Sequence, residues 1–182
     1  MNIILYILIT MAFSAFFSGM EIAFVSSNKL RFEMDKNEQS ITSRILSIFF
    51  KRPNDFISTM LVGNNIALVI YGILMAELIE QRILSGWIEN EFLLVLIQTI
   101  ISTLIILVTG EFIPKTLFKI NPNFTLNILA IPTFICYILL YPISKFASAC
   151  SSIFLWLTGI KVNKEASDKA FTKVDLDYFI QS

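Results

Sequence analysis

The chain has 182 residues, of which 55% are hydrophobic and only 15% are charged, whereas soluble domains carry about 25% charged residues. Lysine and arginine balance aspartate and glutamate at 14 each, which excludes the basic character of a nucleic-acid-binding chain. Histidine is absent, which removes the usual general base and the commonest transition-metal ligand. We therefore predict an all-α integral membrane protein in the lipid bilayer, with no organic cofactor and no enzymatic activity.

The first apolar segment covers residues 3–26 and predicts a transmembrane helix. No positive residue precedes it and no small-residue cleavage site follows, which argues against a cleaved signal peptide. Ser14, Ser18 and Glu21 are spaced four and three residues apart, and this spacing places them on one helical face. A serine in a membrane helix most often serves in helix packing, whereas a carboxylate there indicates a functional site.

A polar segment over residues 27–53 separates the first span from the second and sets the orientation. It carries six basic residues, while the loop after the second span carries only Arg82. The positive-inside rule therefore places this segment in the cytoplasm and the N-terminus outside. Residues 41–50 are amphipathic, and we expect them to form a helix at the membrane interface.

The second span covers residues 56–79 and has Gly63-Asn64-Asn65 near its middle. Two adjacent amides in hydrocarbon are unfavourable unless each has a hydrogen-bonding partner. Because Asn64 and Asn65 lie about 100° apart on a helix, we expect one to face a neighbouring helix and the other a cavity. Ordinary interhelical hydrogen bonding is the alternative interpretation of both residues.

The third span covers residues 92–113 and ends at the motif Gly110-Glu111-x-x-Pro114-Lys115. Pro114 has no N–H for the carbonyl of Gly110, so we expect a break in the helix that leaves this oxygen free as a ligand beside Glu111. An acid within a membrane span is a functional-site hypothesis by default. The alternative is that Glu111 reaches the interface and pairs with Lys115 four residues on.

The apolar run that follows is ambiguous. Hydropathy favours a fourth span, but Pro132 and Pro142 divide the run into pieces near ten residues, which are too short to cross. Lys145 and several later lysines also disfavour export of this region. We therefore predict in-plane or re-entrant helices over 123–160, forming a juxtamembrane belt on the cytoplasmic side.

The predicted organisation is a three-span core over 1–122, the belt over 123–160, and a polar segment over 161–182 that starts a linker to a further cytoplasmic domain. At about 1.5 Å per residue, Ser18 lies about 16 Å, Asn64 about 15 Å and Glu111 about 6–12 Å from the inner face. Hydroxyl, amide, carbonyl and carboxylate groups at these levels make an all-oxygen set, which suits Mg²⁺, Ca²⁺ or Na⁺.

Three motifs together resemble the transmembrane domain of the cyclin M (CNNM)/CorC family of magnesium transporters. They are Phe17-Ser18-Gly19-x-Glu21-x-Ala23, Gly63-Asn64-Asn65 and Gly110-Glu111-x-x-Pro114-Lys115. The resemblance implies a homodimer with three spans per protomer, outside N-termini, a belt of juxtamembrane helices and a cytoplasmic pair of CBS domains. It also implies a dehydrated Mg²⁺ among the serine, asparagine and glutamate positions, with Na⁺ driving export.

The chain departs from the family pattern at two positions. Met20 stands where a second serine is common, and Leu68 stands where another asparagine often occurs. Leu68 offers no oxygen. The departures favour an alternative, in which a transport-deficient member serves as a dimeric membrane scaffold or as an accessory subunit of a cell-envelope machine.

The leading hypothesis is a Na⁺-coupled Mg²⁺ exporter domain in the bacterial inner membrane, with its C-terminus in the cytoplasm and an ion site open to the cytoplasm. The predicted cation ligands are Ser18, Asn64, Asn65, Gly110 and Glu111. Pro114 is expected to break the third helix, and Glu21 to bind the coupling ion or to pair with Lys115.

Overall fold

The computed structural model describes residues 3–28, 32, 40–82 and 90–157, and all regular elements within these ranges are helical. This confirms the all-α fold class. The described elements are, in chain order, α1 Ile3–Ser26, α2 Ile41–Lys51, α3 Pro53–Arg82, α4 Glu91–Ile106, a π-helical segment Leu107–Phe112, α5 Ile113–Ile120 and α6 Pro122–Leu157. The predicted linker over 161–182 lies outside the described residues.

Within the residues that the structure describes, four helical stretches are long and apolar enough to cross a membrane: Ile3–Ser26, Pro53–Ile79, Glu91–Ile120 and Pro122–Phe154. The predicted count of three spans with a separate belt is therefore not confirmed. The predicted division of the last apolar run at Pro132 and Pro142 is wrong, because both prolines lie inside the continuous helix α6. A proline removes a single hydrogen bond, and in an apolar environment the helix remains the best way to satisfy every other backbone group.

An aromatic cluster joins α1, α2, α3 and α6 near the start of α3. The rings of Phe24 and Phe49 each lie 4.5 Å from that of Phe56, and Phe49 lies 5.4 Å from Tyr137. The predicted amphipathic helix is confirmed as α2, since it directs its apolar face, including Phe49, into this cluster. Tilted and edge-on pairs at these spacings contribute beyond simple burial.

Helix α6 contacts α2 and the start of α3, and its Leu140 also reaches Gly63 further along α3. Leu126 and Lys145 lie 19 residues apart, which is about 28 Å along an α-helix. Yet Leu126 lines a cavity with Leu46 and Phe50 of α2, and Lys145 Nζ donates to Asp55 Oδ1 at 2.8 Å. If α6 ran parallel to the axis of α3 with Lys145 at Asp55, Leu126 would lie about 28 Å away from Asp55.

The opposite half of the bundle has its own small core, formed by α1, α3 and α4. It consists of Ile7, Tyr71, Met75, Ile79 and Ile106. The Tyr71 hydroxyl donates to the backbone carbonyl of Ser102 at 3.1 Å, which ties α3 to α4. The rest of the third helix is largely exposed, with 11% of its most apolar window buried.

Candidate functional site

Polar groups of α1 and α3 meet directly in the interior. Ser14 is fully buried and Asn64 is 5% exposed, and Ser14 Oγ donates to Asn64 Oδ1 at 2.7 Å. Gly63 makes this contact possible, because a Cβ there would lie 2.7 Å from the Phe17 ring and 2.8 Å from Leu140. The absence of a side chain at Gly63 thus lets α1 and α6 approach α3 closely.

The third helix contributes backbone at the same point. A Cβ on Gly110 would lie 3.1 Å from Ser14 Oγ and 2.7 Å from Ile106 Cδ1, so the backbone of Gly110 packs against Ser14. Gly110 lies in the π-helical segment, where the Ile113 N–H donates to the Val108 carbonyl five residues earlier. π-Helical turns inside α-helices are frequent at functional sites.

The helix does not break at Pro114, which corrects that prediction. Pro114 is the second residue of α5, and the chain passes from α4 through the π-helical segment into α5 without leaving helical geometry. A wider turn accommodates the proline ring by shifting the hydrogen bonds ahead of it to the five-residue pattern. The proline still supplies no donor, so its effect is a change of helix type.

Ser18 lies one turn from Ser14 and is fully buried. Its Oγ has no hydrogen-bond partner within the part of the chain that the structure describes. A buried hydroxyl without a partner is destabilising by about 1–3 kcal/mol, and in native proteins it commonly marks a position filled by a water or an ion. Gln98 Oε1 and Thr133 Oγ1 are likewise buried without a partner among the described residues, but Ser18 is the one that lies a single turn from Ser14. Ser18 is therefore the candidate ligand next to the contact of Ser14 with Asn64.

Three charged side chains, Glu21, Glu111 and Lys115, interact with one another where α1 meets the third helix. Lys115 Nζ is 3.9 Å from Glu111 Oε2, and the two side chains are 42% and 33% exposed. The i,i+4 pairing considered for Glu111 is therefore present, although at this length it is weak. Glu21 lies within electrostatic range of both Lys115 and Glu111, so α1 and the third helix share one charged cluster.

The structure separates the two adjacent asparagines. Asn64 faces the interior, whereas Asn65 is exposed on the outside of α3 and is not brought to the predicted site. Ser14, in contrast, lies at the centre and was interpreted from the sequence as a packing residue. Its spacing of four residues from Ser18, on the face that also carries Glu21, was the available signal for a role in the site.

The described residues contain no group of three His, Cys, Asp or Glu side chains placed to hold a metal ion. The polar groups that do converge are the hydroxyls of Ser14 and Ser18, the amide of Asn64 and the backbone around Gly110. A cation here would be bound mainly by neutral oxygens, with Glu111 and Glu21 supplying negative charge from one side.

Comparison with known proteins decides the family. The model of the cyclin M (CNNM) transmembrane N-terminal domain matches residues 3–182. The chain belongs to this family. Among curated relatives, the UPF0053 protein MG146 of Mycoplasma genitalium is 25% identical over 182 residues, covering 98% of this chain. Its homologue in Mycoplasma pneumoniae is 28% identical over 150 residues, covering 80% of the chain.

The chain covers 39% and 34% of the lengths of these two relatives. The match therefore concerns the membrane domain. The family model describes a transmembrane domain, and the long apolar helices among the described residues agree with it. The suspected family resemblance is confirmed.

Proposed function

We propose that this chain is the membrane domain of a Mg²⁺ exporter that is coupled to Na⁺ and has a cation site open to the cytoplasm. The observation that carries the proposal is the buried Ser18 Oγ, which lacks a partner among the described residues and lies one turn from the contact of Ser14 with Asn64. Side-chain oxygens of α1 and α3 meet there, and the backbone of Gly110 packs against Ser14, which supports a site for a hard cation.

In this proposal Ser14, Ser18, Asn64 and the Gly110 carbonyl supply neutral oxygens, and Glu111 supplies the negative charge. The amide oxygen of Asn64 has two lone pairs, and Ser14 uses one of them. The other lone pair of Asn64 Oδ1 is the one that this proposal assigns to the cation. A single nearby carboxylate among neutral oxygens gives a modest affinity, which suits an ion that must leave again.

Homodimer formation is part of the proposal. Asn65 lies exposed near the middle of a membrane-spanning helix, where an amide facing lipid is unfavourable. The third helix likewise leaves most of its surface uncovered. A second copy of the chain packed against α3 and α4 would cover both.

We propose that the protein crosses the membrane three times and that α6 lies at the cytoplasmic surface of the inner membrane. The contacts of Leu126 and Lys145 with elements around the start of α3 support a helix that lies across the bundle. The N-terminus is then outside, and a cytoplasmic CBS-pair domain follows residue 182 in the full-length protein.

A transport-deficient scaffold is the second candidate. Ser14 and Asn64 contact each other directly in the position proposed for the ion, and Leu68, one turn beyond Asn64, offers no oxygen. A membrane domain that had lost transport would show the same direct contact. It would keep the dimeric architecture and serve as an accessory subunit of a cell-envelope machine.

Thermal unfolding of the purified chain in the presence of Mg²⁺ separates the two functions. The exporter requires a saturable stabilisation that Ser18→Ala and Asn64→Ala remove and that Glu111→Gln weakens. Asn65→Ala, an adjacent amide on the exposed side, is the matched control and retains the response. No stabilisation at about 10 mM Mg²⁺, well above the dissociation constants of weak oxygen sites, favours the scaffold. Mg²⁺ flux in proteoliposomes with a Na⁺ gradient then tests export itself.

A further inference from the structure

A shallow groove on the outside of α5 has a composition that the cation site does not explain. It measures about 540 Å³ and is lined by Ile22, Phe112, Lys115, Thr116, Lys119 and Ile120. Its wall combines two ammonium groups with apolar side chains and contains no carboxylate. Both α1 and the third helix contribute to it.

The position of the groove places it next to the headgroup layer of a bilayer. Ile22, which lines the groove, lies four residues before the end of α1, and Lys119 and Ile120 are the last two residues of α5. The long side chains of Lys115 and Lys119 can therefore reach the layer of phosphates from the ends of these helices. In the orientation proposed above, this is the cytoplasmic leaflet, where anionic lipids attract basic segments.

The surface of the groove is amphipathic in the way that lipid binding requires. Phe112 and Ile120 are 65% and 66% exposed, so their apolar surface is available to acyl chains. Lys119 makes no ion pair with any residue that the structure describes. Lys115 has a 3.9 Å contact with Glu111 and also lies within electrostatic range of Glu21.

We propose that this groove binds the phosphate of an anionic phospholipid between Lys115 and Lys119, with the acyl chains against Phe112 and Ile120. Because Lys115 also pairs with Glu111, the bound lipid competes with Glu111 for the ammonium group and frees the carboxylate for the cation. The lipid site stands on the groove alone, whereas its effect on Glu111 rests on the proposed function.

Lipid retention tests the site without any reference to Mg²⁺. The full chain is extracted from vesicles of phosphatidylcholine mixed with phosphatidylglycerol, and the retained lipid is identified by native mass spectrometry. The wild type enriches phosphatidylglycerol, and Lys119→Gln reduces the enrichment about fivefold, as expected for loss of one lysine near an anionic surface. Lys119→Arg preserves it.

Lys51→Gln is the matched control, because Lys51 is an exposed lysine at the end of α2 that does not line the groove. Equal losses in Lys119→Gln and Lys51→Gln would show general charge attraction and would overturn the site. Displacement of the retained lipid by inorganic phosphate would show a site for a soluble anion and would overturn the lipid assignment.

A second measurement tests the competition for Lys115. Mg²⁺-dependent thermal stabilisation is compared in nanodiscs of phosphatidylcholine with and without phosphatidylglycerol. The stabilisation is larger with phosphatidylglycerol in the wild type, and the difference disappears in Lys119→Gln. Equal stabilisation in both lipids overturns the competition. Absence of any stabilisation refutes the cation site instead, while lipid retention still decides the groove.

Discussion

Replacing Gly63 with alanine tests whether close helix approach builds the site. A Cβ at this position would lie 2.7 Å from Phe17 Cε1, whereas ordinary contacts lie at 3.4–4 Å, so the Phe17 side chain or its helix must shift by about 0.7 Å. If the helix shifts, the 2.7 Å bond between Ser14 and Asn64 lengthens to the limit of hydrogen bonding. Overpacking of this kind is destabilising by about 1–3 kcal/mol.

Thermal unfolding in detergent, with and without Mg²⁺, measures both consequences. For a chain of this length 1 kcal/mol corresponds to about 2–4 °C, so Gly63→Ala lowers Tm by about 2–12 °C and weakens the Mg²⁺ response. Gly72→Ala is the control on the same helix, since a Cβ there meets nothing within 4 Å and alanine favours helix by up to about 1 kcal/mol. If Gly63→Ala unfolds at the same temperature as Gly72→Ala, the packing argument is refuted.

Three further outcomes follow from the structure. Ser18→Ala raises the free energy of unfolding of the Mg²⁺-free chain by about 1–3 kcal/mol, because it removes a buried hydroxyl that lacks a described partner. A Tm below that of the wild type would show that this hydroxyl is hydrogen-bonded. Phe56→Ala removes a fully buried ring and lowers the free energy of unfolding by about 3–5 kcal/mol. Phe92→Ala, at a ring that is 72% exposed, changes it little. Equal effects of the two variants in thermal melts would contradict the described core. Asp55→Asn weakens the 2.8 Å contact with Lys145 and lowers the free energy of unfolding by less than about 1 kcal/mol, because both groups are partly exposed. The difference from the wild type becomes smaller at high salt. A large loss of stability that does not depend on salt would require a different role for Asp55.

The sequence located the helices well because apolar length is a strong signal in membrane proteins. The first predicted span, 3–26, coincides with α1, and the second lies within α3. The main error concerned proline. Pro132 and Pro142 were expected to end helices, but hydropathy and backbone hydrogen bonding together outweigh the loss of one donor at each.

The candidate site was predictable in kind but not in detail. Glycine, asparagine and serine motifs identified the helices that meet, and the glycines do permit close contact. Which of two adjacent amides turns inward depends on how α3 is rotated, and that rotation is set by packing of Gly63 against Phe17. For Ser14 the only sequence signal was its place on the helical face that carries Ser18 and Glu21, and the residue type alone does not separate a ligand from a packing residue.

The π-helical segment Leu107–Phe112 divides the third helix into two rigid rods. A turn of this type holds one residue more than an α-turn, so its return to α geometry would swivel the whole of α5 by about 100° relative to α4. Glu111, inside the joint, and Lys115, beyond it, would therefore change direction together while Ile106, on the other rod, stays in place.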